Sequence, residues 1–107
     1  MKPMVEFSEL ALDDINEVWF YISIDSVDAA ERSMFEFQRK FDLLARNPLV
    51  GTSRDDLIVG LQQFPHKNYN IFYFHTENGV EIYRVLHGSR DTVQMFDDSI
   101  DTRIENI

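Results

Sequence analysis

Basic side chains gather near the end of an apolar run in a chain that is otherwise strongly acidic. The run Arg84-Val85-Leu86-His87-Gly88-Ser89-Arg90-Asp91 carries two arginines and a histidine, and Lys67 belongs to the same part of the sequence, Gly60–Asp91. The chain has 19 acidic and 10 basic residues and a net charge of −9. Bulk composition therefore does not explain this local cluster, and a functional surface is to be sought here first.

These residue types suit metal-free cleavage of RNA through the 2′-hydroxyl. Such cleavage needs a base, an acid and cations that stabilise the developing charge on the phosphate. His87 can act as acid or base, and Arg84, Arg90 and Lys67 can hold the phosphate. The same residues are also candidates for contacts with a protein partner.

Structural roles compete with these chemical ones. A histidine that closes an apolar strand usually hydrogen-bonds a backbone group, so we favour a role for His87 in holding the Gly88-Ser89 turn. For Arg84, pairing with a neighbouring carboxylate is favoured in so acidic a chain. For Arg90 beside Asp91, capping of a helix start and contact with a partner are equally favoured.

Two other groups of residues suggest sites. Trp19-Phe20-Tyr21 resembles a stacking platform for bases, but aromatic residues at helical spacing usually split between core and surface. A structural role in the core is therefore favoured over a stacking platform, and Trp19 remains a candidate for partner contact. The histidines at 66, 75 and 87 lack the i, i+4 spacing of a zinc-binding helix, and the sequence contains no Gly-rich phosphate loop. We therefore predict no metal and no cofactor.

Composition restricts the class of protein. The 107 residues, 44% of them hydrophobic and none of them cysteine, predict a single globular domain over 1–107. No apolar run is long enough to span a bilayer, and no export signal is evident. The absence of cysteine suits a reducing compartment. We therefore expect a cytoplasmic protein without membrane contact. The net charge argues against direct binding of nucleic acid.

The hydrophobic periodicity predicts an α+β fold: an N-terminal strand, an antiparallel helix hairpin packed on a small, mainly antiparallel sheet, and a short C-terminal helix or tail over 91–107. The first helix follows Ser8 and ends near Ile24 or Asp25, and the second begins at Ser26 or Asp28 and stops at Asn47-Pro48. The predicted strands are Lys2–Phe7, Leu61–Pro65, Tyr69–His75 and Val80–His87, with an Asn-Gly turn at Asn78-Gly79.

Helical spacing separates a core side from a solvent side in the first helix. The predicted core side holds apolar residues, namely Ala11, Ile15, Val18, Trp19 and Ile22. The predicted solvent side holds acidic residues, namely Glu9, Asp13, Asp14 and Glu17.

The order of these elements, with particular residues in them, resembles the ParE branch of the RelE/ParE superfamily of bacterial toxins from type II toxin–antitoxin systems. The resemblance extends over about Met4–Phe96. It is carried by Ala11, Asp14-Ile15, Trp19-Phe20-Tyr21-Ile22, Ala29-Ala30, Leu44-Ala45-Arg46-Asn47-Pro48, Gly51, Gly60-Leu61, Tyr69-Asn70-Ile71-Phe72-Tyr73, Arg84-Val85-Leu86-His87 and Arg90-Asp91.

Resemblance to ParE implies an inhibitor of DNA gyrase that is neutralised by a small, co-encoded antitoxin. Resemblance to RelE implies ribosome-dependent cleavage of mRNA, for which His87, Arg84 and Arg90 are the candidate catalytic residues. RelE-like sites, however, commonly add a late aromatic hydroxyl, and only Arg103 is basic after Arg90. A third alternative is a non-toxic domain that still binds antitoxin, suggested by the acidic charge and by Gln62, where the family often has arginine.

Overall fold

The computed structural model describes residues 2–89, 92 and 94–96. Its helices and strands follow one another as β1 (Met4–Phe7), α1 (Glu9–Ser23), α2 (Val27–Arg46), β2 (Thr52–Ser53), β3 (Leu61–His66), β4 (Tyr69–Thr76) and β5 (Gly79–His87). Thr92 and Gln94–Phe96 are also helical. The predicted α+β fold is confirmed. The predicted short C-terminal helix is confirmed at those four residues.

Serine side chains start both helices of the hairpin. The Ser8 hydroxyl accepts a hydrogen bond from the Ala11 backbone N–H at 3.0 Å and donates one to the Tyr83 carbonyl at 2.7 Å. The Ser26 hydroxyl accepts from the Ala29 N–H at 3.1 Å, so the second cap is Ser26 and not Asp28. These bonds satisfy backbone donors that have no partner inside the helix.

The sheet has five strands in the order β1-β5-β4-β3-β2. Every neighbouring pair is antiparallel except β1 with β5, which run parallel with Met4 opposite Gly79. A Cβ atom on Gly79 would collide with the backbone of Met4. Glycine at this position therefore permits the close approach of the N-terminal strand to the last one.

A β-bulge interrupts β5. Phe72 lies opposite Arg84, and the next residue, Tyr73, lies opposite Ile82, so Tyr83 and Arg84 together face one residue of β4. Because a bulge shifts the alternation of side chains, Ile82 and Val85 pack into the same apolar cluster although they are three positions apart.

Apolar clusters cover both faces of the central strands. The cluster under the hairpin joins residues of both helices to the sheet, namely Ala11, Val18, Phe37, Phe41, Leu44, Ala45, Ile71, Tyr73, Val80, Ile82 and Val85. On the opposite face Leu61, Phe72, Tyr83, Leu86 and Phe96 form a second cluster. The C-terminal helix thus covers the face that the hairpin leaves open. Within the described residues, no helix has the length and apolar character that a membrane span requires.

Candidate functional site

Arg84 is held inside the protein by a carboxylate. Its Nε and Nη2 atoms donate to Oδ2 and Oδ1 of Asp14 at 2.8 and 3.0 Å, and the Val85 N–H donates to the same Oδ2 at 3.0 Å. Asp14 and Arg84 are only 7% and 6% exposed. The predicted pairing of Arg84 with a carboxylate is confirmed.

The predicted solvent-facing position of Asp14 is wrong. On α1, Ala11, Asp14 and Val18 lie three and four positions apart, so they share the face that points toward the sheet. Asp14 is tolerated there because Arg84 and the Val85 N–H supply three hydrogen bonds to its two oxygens.

Lys67 lies in the tight turn between β3 and β4 with a φ of 54°, in the left-handed region. Its ammonium group forms an ion pair with Glu36 of α2. The hydrogen bond from Lys67 is the main cause that lowers the pKa of Glu36. Lys67 is therefore engaged by an acidic neighbour, although its side chain remains largely exposed.

His87 organises the end of β5. The Ser89 backbone N–H donates to Nδ1 of His87 at 3.1 Å, and the Ser89 hydroxyl lies 2.6 Å from the same nitrogen. Because Nδ1 accepts the backbone proton, the neutral ring carries its own proton on Nε2. The predicted role of His87 in holding the Gly88-Ser89 turn is confirmed.

The three predicted basic groups that the structure describes, Arg84, Lys67 and His87, thus do not form an open phosphate-binding cluster. Arg84 and Lys67 are ion-paired, and one nitrogen of His87 serves the turn. Arg90, with Asp91 and Arg103, lies outside the described residues. Partner contact by Lys67, Arg84, His87, Arg90 or Trp19 stays a prediction, and for Arg84 it requires opening of the buried ion pair.

The three consecutive aromatic residues of α1 do not share one environment. Trp19 is partly buried, whereas Phe20 and Tyr21 are 66% and 72% exposed. The predicted split of these aromatic residues between core and surface is confirmed, because successive helical residues are turned by about 100°. Other large apolar side chains of the hairpin are also exposed, namely Leu12, Ile24, Val27 and Phe35.

A cleft of about 460 Å³ opens between α1 and the C-terminal end of β5. Helix α1 contributes Asp14, Glu17, Val18 and Tyr21 to its lining. The strands and the turn contribute Tyr69, Val85, Leu86, His87 and Ser89. Burial, and secondarily the nearby Tyr21, raises the pKa of Tyr69, so its hydroxyl stays protonated at neutral pH.

Sequence reasoning placed His87 at this site but missed Tyr21, Tyr69 and Glu17. Their positions depend on the packing of α1 against strands that follow some fifty residues later, which no local pattern reveals. One signal in the sequence could have indicated the site. Asp14 lies three and four positions from Ala11 and Val18, which face the core, and a buried carboxylate requires a cation beside it.

His66, which lies opposite Tyr69 where β3 turns into β4, is another buried titratable group. It is 7% exposed, its ring centroid lies 4.8 Å from that of Phe37, and its Nε2 has no hydrogen-bond partner among the described residues. Burial, reinforced by the charges of Lys40 and Lys67, lowers the pKa of His66, while Glu36 opposes this shift. Among the described residues, no group of three or more potential metal ligands occurs.

Comparison with known proteins agrees with this architecture. The sequence profile of the family described as "ParE toxin of type II toxin-antitoxin system, parDE" matches residues 5–92. Toxin ParE1 of Mycobacterium tuberculosis, in strains CDC 1551 / Oshkosh and H37Rv, is 33% identical over 66 residues, which are 61% of this chain and 67% of the relative.

A solved structure shares the fold at low sequence identity. It is a chain of the chromosomal ParDE TA system from P. aeruginosa, with a TM-score of 0.66 and 11% identity. The superposition covers 80% of this chain and 96% of the other. At that identity the likeness concerns the arrangement of helices and strands.

Proposed function

The chain belongs to the ParE toxins of type II toxin–antitoxin systems, and from this premise we propose that it inhibits DNA gyrase by binding and not by chemistry. The family also implies an antitoxin as partner. We place the protein in the cytoplasm, where gyrase acts. No cofactor takes part in this proposed activity.

The observation that carries the proposal is the engagement of Arg84 by Asp14. A ribonuclease of this fold would need cations directed at a phosphate in the transition state. Here the guanidinium of Arg84 is buried and donates to both oxygens of Asp14, while Lys67 is paired with Glu36. These contacts favour inhibition through surface complementarity over phosphate chemistry.

The exposed apolar residues of the hairpin support the antitoxin half of the proposal. Phe20, Tyr21 and Phe35 are each about two-thirds or more exposed. Large apolar groups left in water on a small domain mark surfaces for protein partners. We propose that the antitoxin covers part of this hairpin surface when it neutralises the toxin.

The decisive experiment combines induction in a bacterium with a purified assay. The chain is induced alone and together with the antitoxin encoded beside it, and growth, a DNA-damage reporter and mRNA integrity are followed. Purified chain is then added to gyrase in a supercoiling assay. We expect growth arrest with a DNA-damage response, intact transcripts, inhibited supercoiling and rescue by the antitoxin.

Other outcomes contradict the proposal in distinct ways. Ribosome-dependent cleavage of mRNA with unaffected supercoiling would support the RelE-like alternative. Absence of toxicity and of gyrase inhibition, with antitoxin binding retained, would support the non-toxic alternative. Folding of the purified chain, checked by circular dichroism, ensures that an inactive sample is not simply unfolded.

A further inference from the structure

We propose that the cleft between α1 and the end of β5 receives an arginine side chain of the antitoxin. This inference rests on the part of the proposed function in which an antitoxin binds the chain, and it does not depend on gyrase being the target. It identifies a docking position and the chemistry of the group that occupies it.

The lining of the cleft combines apolar and polar groups. Val18 and Val85 contribute aliphatic surface, and Tyr21, Tyr69 and Glu17 contribute aromatic rings and a carboxylate. An arginine side chain has the same combination, because its methylene stem packs on apolar surface while its guanidinium remains polar. A guanidinium also stacks on tyrosine rings, which a compact ammonium group does less well.

Charge complementarity selects a cation. Two carboxylates, Asp14 and Glu17, line the cleft, and no described lysine or arginine does. Asp14 is buried against Arg84, whereas Glu17 is exposed, so Glu17 is the carboxylate that an incoming group can reach. Glu17 already interacts within the protein, but a carboxylate has about four acceptor positions and can take a further donor. The net charge of −9 adds long-range attraction for a basic segment.

The same features disfavour other occupants. A phosphate or an acidic side chain would meet two carboxylates, and no lysine or arginine lines the cleft among the described residues. A purely apolar side chain would cover the hydroxyls of Tyr21 and Tyr69 without offering them a partner, which costs free energy. A volume of about 460 Å³ is within the range that holds a side chain together with part of its backbone.

A small probe tests the chemistry without any antitoxin. The isotope-labelled full chain is titrated with N-acetylarginine N-methylamide and, separately, with the citrulline analogue, which has nearly the same shape but no charge. NMR shift changes should concentrate on residues 14–21 and 85–89. The arginine probe should bind at least about threefold more tightly than the citrulline probe, as expected for a partly exposed ion pair with a cation–π contact.

Matched substitutions on α1 test the site. Glu17→Gln and Tyr21→Leu should each weaken the arginine probe by about two- to fivefold. Asp13→Asn and Phe20→Leu alter an exposed acid and an exposed aromatic residue of the same helix outside the cleft, and they should leave its affinity unchanged. Equal effects of the two sets, or equal binding of both probes, would overturn the proposal.

The complex with the adjacent-gene antitoxin tests the biological occupant. Glu17→Lys places a like charge against the arriving arginine and should weaken the complex by about tenfold or more, whereas Asp13→Lys should have little effect. If Glu17→Lys leaves affinity unchanged, the proposal fails even when the small probe binds. Because neither measurement involves gyrase, a failure here is distinguishable from a failure of the proposed toxic activity.

Discussion

Asp14 and Arg84, 70 positions apart in the chain, form a buried bidentate ion pair that fastens α1 to β5. The Val85 N–H, donating to the same carboxylate, makes Asp14 a junction between the helix and the bulged strand. The arginine that the sequence offered as a phosphate ligand is therefore part of the framework that positions the cleft.

Arg84→Met should unfold the protein at much lower urea concentration, with a loss of about 3–5 kcal/mol, because it leaves the Asp14 charge buried without a cation. The double variant Asp14→Asn/Arg84→Met should be more stable than Arg84→Met alone, since no uncompensated charge remains. Asp56→Asn, which breaks the exposed pair between Arg54 and Asp56, should cost much less. Equal losses for Arg84→Met and Asp56→Asn would show that burial of the pair is unimportant.

Stability should decrease on the acid side of neutrality because of His66. Its lowered pKa means that the folded protein binds this proton less tightly than the unfolded chain. The contribution of neutral His66 to the free energy of unfolding is complete above about pH 6.5, the ordinary pKa of histidine. It is lost as the pH falls through the lower pKa of His66 in the folded protein. The lowered pKa of Glu36 acts in a separate window, below its ordinary value of 4.5.

Urea midpoints measured between about pH 5 and 8 check this expectation. His66→Gln should flatten the curve in the histidine window even if it also lowers overall stability. His75→Gln changes an exposed histidine and should preserve the slope. A wild-type slope that persists in His66→Gln would assign the titration to another group.

Gly79→Ala should destabilise the protein by about 1–3 kcal/mol, the usual cost of forcing atoms into an occupied space. The new Cβ collides with the Met4 backbone and pushes β1 away from β5. Gly88→Ala is the matched control, because its Cβ meets the Asn68 carbonyl oxygen at 3.4 Å, an ordinary contact. Thermal unfolding of the two variants should differ clearly, and similar transitions would exclude the steric argument.

His87→Ala should leave transcripts intact and gyrase inhibition in place. It removes an acceptor for the Ser89 N–H, which should cost about 0.5–1.5 kcal/mol of stability. If His87 is instead an acid or base for RNA cleavage, the rate should fall by about 10²- to 10⁴-fold with the fold preserved. Comparing cleavage, supercoiling and thermal unfolding for the same preparation separates these roles.

Phe20→Gln and Phe35→Gln should keep the protein within about 0.5 kcal/mol of its original stability, because both rings are mostly in water. Each should reduce self-association of the isolated chain and weaken the antitoxin complex. Arg39→Gln alters an exposed polar residue of α2 and serves as the control. Sedimentation and calorimetry measure the two effects, and unchanged antitoxin affinity would remove the hairpin from the interface.

Local sequence rules determined most of the helix and strand boundaries. Ser8 and Ser26 start the helices because their hydroxyls accept from backbone N–H groups that no helical carbonyl reaches. Asn47-Pro48 stops α2 because the residue before proline avoids helical geometry. Such signals act over three or four residues, so they are visible without a tertiary fold.

The surroundings of the charged and aromatic side chains were decided only by the tertiary structure. Asp14 is inside because Arg84 arrives from β5, and Tyr21 lines the cleft because α1 packs beside Tyr69 and His87. The bulge at Tyr83 and Arg84 also has no local signature, since it depends on pairing with β4. Residue types determine which contacts are favourable, but packing between distant segments selects which side chains meet. That packing also determines the charge of the surface that a binding protein contacts.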